Sequence, residues 1–158
     1  DKSAATPLHR VAVQEGCDEL AKILIEHGAK INVTDENGSS PLIFAATCGN
    51  VSVAKIFIAH GAEVNQKNCK LSTALHCASE LGFLSIIKLL VNHGANLHLK
   101  DEQGHTPLAG ACRCLKDDMV RAVLNLVCLG SEIDSKVIEN DKTDLLEPIH
   151  SRLSSTHR

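Results

Sequence analysis

The chain has 158 residues, a formal net charge of −3, 22% charged residues and only 2% aromatics. That length buries a sizeable core, here aliphatic and alanine-rich, and the balanced, slightly acidic charge gives no electrostatic reason to expect a nucleic-acid partner. No apolar run approaches the roughly 20 residues of a membrane-spanning helix, so direct membrane insertion is not expected.

Residues 1–33 form a first unit. Thr6-Pro7-Leu8-His9 opens a helix expected over 8–14, and a second helix places Leu20, Ile23 and Leu24 on one face at helical spacing. His27-Gly28-Ala29 ends it, because glycine takes the left-handed conformation that closes a helix at low cost. Asp35-Glu36-Asn37-Gly38 then reads as a hairpin tip. This first unit starts directly at a boundary without a polar cap, from which a longer parent chain is expected.

The second unit, 34–67, opens with Ser40-Pro41-Leu42-Ile43 and closes with His60-Gly61-Ala62. Leu42, Ala45 and Ala46 mark its first helix, and Val51, Val53, Ile56 and Phe57 its second. The tip that follows, Asn68-Cys69-Lys70-Leu71, carries leucine where the neighbouring tips carry Gly38 and Gly104. Leucine there implies either a strained positive φ or a different turn type.

The third unit, 68–100, repeats the pattern with Thr73-Ala74-Leu75-His76 and His93-Gly94-Ala95, followed by an extended run over 96–100. The fourth, 101–136, keeps Thr106-Pro107-Leu108-Ala109 but gains three residues within 113–118, and Asn125 sits where earlier units are apolar. Residues 137–153 read as a partial cap, a half-repeat centred on 143–153, and 154–158 as a frayed tail.

The four openings lie 34, 33 and 33 residues apart, and the His-Gly-Ala endings keep the same period. Two markers with one period define a repeat array. On these residues the chain resembles the ankyrin repeat family, whose unit of about 33 residues opens with T-P-L-H. The resemblance covers 1–134 and implies an all-α solenoid of helix-turn-helix repeats with short β-hairpin loops. With helices roughly 8–10 Å apart, four units span roughly 40 Å and present one concave face.

The motif residues have structural reasons. Thr6, Ser40, Thr73 and Thr106 are N-caps, whose hydroxyls satisfy unpaired backbone N–H groups. Pro7, Pro41 and Pro107 follow at the first helical position, where the missing donor costs nothing. Ala12, Ala45, Ala46, Ala78 and Ala111 let paired helices approach closely. The resemblance further implies that His9 and His76 hydrogen-bond neighbouring loop backbone.

Nine histidines and seven cysteines raise the question of metal or thiol chemistry. His27, His60 and His93 recur one helix spacing apart, too far to share a zinc whose ligands stand about 2.0–2.1 Å away. Cys112-x-Cys114 lacks zinc-knuckle spacing, and no nucleotide or hydrolase fingerprint is present. No catalysis, metal or cofactor is expected. The odd, unpatterned cysteines, five of them in expected helices, suit reduced thiols in the cytosol or nucleus.

The resemblance places binding residues at the tips and on the inner face of each first helix. Mapped onto this chain, the partner-binding set is Phe44, Cys48, Lys70, Leu71, Glu80, Leu81, Gln103, His105 and Arg113. Phe44, Leu71 and Leu81 are its apolar members. The implied function is reversible recognition of a protein or peptide by a monomer; the alternative is a regulatory or targeting domain acting in cis within a larger enzyme or channel. Small-ligand binding is disfavoured, because no polar groups converge on a phosphate-type loop. The family also implies hydroxylation of an asparagine eight residues after a leucine, a spacing that Asn32 meets through Leu24.

Overall fold

A computed structural model describes residues 5–113, with Cys112 and Arg113 described by backbone alone. Its elements are α1 (Pro7–Val13), α2 (Asp18–Glu26), α3 (Pro41–Cys48), α4 (Val51–Ala59), α5 (Ala74–Leu81), α6 (Leu84–Asn92) and α7 (Pro107–Arg113). The expected lengthening of the fourth unit, its second helix, the 137–153 cap and the tail lie outside the described residues.

Local chemistry sets the helix ends. The Ser40 hydroxyl accepts from Ile43 N at 3.4 Å and the Thr106 hydroxyl from Ala109 N at 3.4 Å, each capping a helix whose first residue is proline. In α1 and α5 the histidine of the opening motif completes the cap. His9 Nδ1 accepts from Thr6 N at 3.0 Å, and His76 Nδ1 accepts from Thr73 N at 3.2 Å. Nε2 therefore carries the ring proton and donates across to the next tip, to Ser39 O at 2.8 Å and His105 O at 3.2 Å. One side chain thus caps its own helix and ties it to the following unit. Burial pushes the His76 imidazole below the ordinary histidine value, which favours this neutral form.

The first helices stack as α1, α3, α5 and α7, and the second helices as α2, α4 and α6, each pair closing into a helical hairpin. Between the two layers lie Leu8, Leu42 and Leu75 from the first row, with Val53, Phe57, Ile86, Ile87 and Leu90 from the second, all buried. Each such side chain contributes roughly 1.5–3 kcal/mol on burial. Ala12, Ala45, Ala46, Ala78 and Ala111 are fully buried at the helix contacts, as small residues at a close approach require.

Two of the three periodic His-Gly-Ala endings behave alike. His27 Nδ1 donates to Ile23 O at 2.8 Å and His60 Nδ1 to Ile56 O at 2.8 Å, so these imidazoles terminate their own helices.

Two expectations change. The tips contain no strand among the described residues; they are turns, and 96–100 contains a further turn rather than one extended run. Each tip is closed by a backbone bond, Asp35 N to Ser39 O, Asn68 N to Ser72 O and Asp101 N to His105 O, all at 3.0 Å, and by side-chain acceptors rather than by an extended β-ladder. On α2, Leu20 and Ile23 are not core residues: they are 45% and 48% exposed, while Ala21 is buried and Leu24 and Ile25 are partly buried. Val53 and Ile86 hold the Leu20 register on α4 and α6 and are buried because a preceding second helix covers them. Among the described residues nothing covers α2 in that way.

Candidate partner-binding face

Each tip is organised by one side chain. Asp35 Oδ1 accepts from Asn37 N at 2.9 Å and Ser39 N at 2.7 Å; Asn68 Oδ1 accepts from Lys70 N and Ser72 N, both at 3.0 Å. Asp101 Oδ1 does the same for Gln103 N at 2.9 Å and His105 N at 2.8 Å. Short side-chain acceptors that capture backbone two and four residues on produce tight turns without a ladder. Successive tips are then linked backbone to backbone, Cys69 N to Asn37 O and Glu102 N to Lys70 O, each at 2.9 Å. The tips form one continuous rail.

Leu71 breaks the glycine rule as a strained residue: its φ is 56°, in the region that Gly38 (72°) and Gly104 (82°) occupy in the neighbouring tips. A left-handed leucine costs about 1–2 kcal/mol. Its side chain is 46% exposed, so core burial does not repay that strain.

Between the second and third tips, α5 and the start of α7, the surface folds into a groove of about 150 Å³. Its lining includes Lys70, Glu80, Asp101, Glu102, Gln103 and His105. Four residues expected at the partner face, Lys70, Glu80, Gln103 and His105, therefore meet at one place. Three carboxylates against one lysine give it an acidic balance. The His105 Nδ1 atom is buried without a hydrogen-bond partner and faces Asp101 Oδ2 at 3.8 Å.

The other expected residues sit outside that lining. Leu81 is 46% exposed at the end of α5, and Cys48 is exposed at the end of α3. Phe44 is only half-exposed, its ring edge-on to His9 with centroids 5.1 Å apart. Arg113 lies on α7, where the backbone alone is described. Ser72 is a tip position by sequence and also lines the groove, whereas sequence reasoning missed Asp101, His76 and Thr106 as groove residues. The Asp35, Asn68, Asp101 series, spaced by 33, was the available signal for the first of these.

Asn32 is exposed, but its carboxamide is engaged at both ends. Nδ2 donates to Gly61 O at 3.2 Å and Oδ1 accepts from Glu63 N at 2.9 Å. Asn65 repeats this with Gly94 O at 3.0 Å and Asn96 N at 2.7 Å.

Cys17, Cys48, Cys69 and Cys77 are free thiols. Burial pushes the Cys77 thiol up, away from the reactive thiolate. Among the described residues no group of histidine, cysteine and carboxylate side chains is placed to hold a metal ion, and no helix is long and apolar enough to cross a membrane.

Stacked helical hairpins joined by a rail of tight tips define a repeat solenoid. Residues 1–68 and 66–137 each match the family described as ankyrin repeats (3 copies), and the chain belongs to the ankyrin repeat family. It is 46% identical over 43 residues to the human Fibronectin type 3 and ankyrin repeat domains protein 1, a match spanning 27% of this chain and 12% of that protein. It is 45% identical over 42 residues to the Ankyrin repeat-containing protein P1E11.10 of Schizosaccharomyces pombe (strain 972 / ATCC 24843), spanning 27% of this chain and 20% of that one. The chain thus aligns with a small part of each relative's length. Repeats of this family are generally protein–protein interaction modules.

Proposed function

We propose that this chain binds a protein segment, without catalysis or cofactor, across the tips and inner helix face of its third and fourth units. The carrying observation is Leu71, an exposed apolar side chain held at φ 56° beside a groove that gathers Lys70, Glu80, Gln103 and His105. Strain kept in a residue with no core contribution is the signature of a functional position. Leu71 and Leu81 bracket the helix that forms one wall of the groove and offer apolar anchors. The acidic groove beside them suits a polar or basic group of the same partner segment. Phe44 and Cys48 extend the face onto the second unit, and Arg113 belongs to it on the fourth.

The test is comparative capture followed by titration. Partners retained by the wild-type chain from lysate, and lost by the folded Leu71→Gly/Leu81→Ser variant, are titrated against both. A loss of tenfold or more in affinity supports the reading. Equal affinities for every partner refute it.

A further inference from the structure

Four residues on from Thr6, Ser40, Thr73 and Thr106, the first helices carry Arg10, Phe44, Cys77 and Gly110. The fourth unit alone leaves that register without a side chain. Glycine inside α7 weakens the helix relative to alanine, because it has more backbone freedom to lose. Neither conformation nor crowding asks for it. Gly110 N donates to Thr106 O at 3.1 Å in a helical turn, and its φ is not positive. A Cβ on it would stand 3.8 Å from Glu80 N and 3.9 Å from Glu80 Cβ, which is ordinary van der Waals contact. The fold has room for a side chain there, and what glycine supplies is open space.

That space belongs to the groove of about 150 Å³ beside Leu71. Glu80 on α5 and Asp101 and Glu102 on the third tip line it against one cation, Lys70. Asp101 is fixed before any ligand arrives: its Oδ1 accepts from Gln103 N and His105 N, and its Oδ2 faces His105 Nδ1 at 3.8 Å. A carboxylate already held in place loses little freedom on binding. Leu71 adjoins Lys70 and Ser72, and Leu81 adjoins Glu80, so exposed apolar side chains flank the acidic space.

We propose that Gly110 is a specificity-determining residue: its empty register admits one basic side chain of the partner segment, which the Asp101 and Glu102 carboxylates receive. The inference rests on the binding reading above and names the partner's chemistry, a segment with lysine or arginine beside apolar residues. An acidic side chain would meet three carboxylates at once. An apolar one would strip water from them and return no bond. A cation gains charge-assisted hydrogen bonds in the same place.

The probe is a displayed library of random linear peptides selected on the full wild-type chain. Selected peptides should share one basic position beside apolar residues. Replacing that residue by a neutral analogue, citrulline for arginine or norleucine for lysine, should weaken binding at least tenfold. Asp101→Asn should also weaken it, because asparagine keeps the tip acceptor that Asn68 supplies in the second tip and removes the charge. If the two groups meet, Asp101→Asn should cost the neutral peptide much less than the basic one. Gly110→Leu should lose at least tenfold while melting no lower than wild type, since the same register holds Phe44 on α3; if that variant misfolds, Asp101→Asn decides. A library that enriches no basic position overturns the inference. So does a neutral peptide that binds as well as the basic one, or a folded Gly110→Leu that binds like wild type. In those cases, peptide binding that still falls with Leu71→Gly/Leu81→Ser leaves the docking face standing, and binding indifferent to that pair removes the face itself.

Discussion

The Phe83 ring covers the backbone of Gly49 so closely that a Cβ on that glycine would stand 2.8 Å from Phe83 Cε1. Gly49 also closes α3 at φ 77°, so it is held by conformation and by contact together. In the unit before, Asn50 ties the corresponding junction with polar bonds, its Nδ2 donating to Gln14 O at 2.9 Å. Gly49→Ala should cost about 2 kcal/mol or more, the sum of a left-handed alanine and a displaced ring. Gly61→Ala, at φ 86° with nothing within 4 Å, should cost only about 1 kcal/mol. Denaturant melts compare the two, and Phe83→Leu added to Gly49→Ala should recover part of the difference.

Leu71→Gly separates stability from function. Glycine relieves the strain of φ 56° while losing some unfolded-state restriction, so the variant should be more stable by up to about 1 kcal/mol. Partner affinity should fall at the same time by about 1–2 kcal/mol, as for a hot-spot side chain. Calorimetric melting and titration of the same sample measure both. A variant that gains stability and keeps its affinity would make Leu71 a plain defect.

Period and helix ends were legible because they depend on local chemistry: Ser40 at its cap, proline at the first position, glycine after His27, His60 and His93. The same locality exposed Leu71 as the odd residue of its tip. Leu20 and Ile23 were misread because their helical spacing is right, and exposure depends on a neighbour that no local pattern reveals. The tips looked like hairpins because turn residues flank them. Asp35, Asn68 and Asp101 instead spend their acceptors on the tip's own N–H groups. Half of the groove was visible as variable tip positions; Asp101 and His76 were hidden because their structural duties come first.

Acid should loosen the stack through His76. Burial holds its native imidazole below the ordinary value of about 6.5, so the unfolded chain binds the proton more readily. Stability from this residue is therefore full above about 6.5, falls as pH drops through that value, and levels off below the lowered native value. Protonation also removes the Nδ1 acceptor that Thr73 N uses. His76→Gln should melt with a flatter pH dependence between neutrality and pH 5 than wild type. Parallel curves would place the acid sensitivity elsewhere.

Asn32→Ala should cost about 1–3 kcal/mol, because Gly61 O and Glu63 N lose their shared partner at a unit junction. Asn32→Asp should cost less than alanine, since a carboxylate still accepts from Glu63 N but no longer donates to Gly61 O. Equal costs for both would show that water replaces the carboxamide.

Hydrogen exchange of the chain with and without its captured partner tests the central claim most directly. The account predicts slowed exchange at Lys70, Leu71 and Ser72 and from Glu102 to His105, with the solvent side of α4 and α6 unchanged. Slowing confined to α4 and α6, with the second and third tips exchanging as in the free chain, would contradict it.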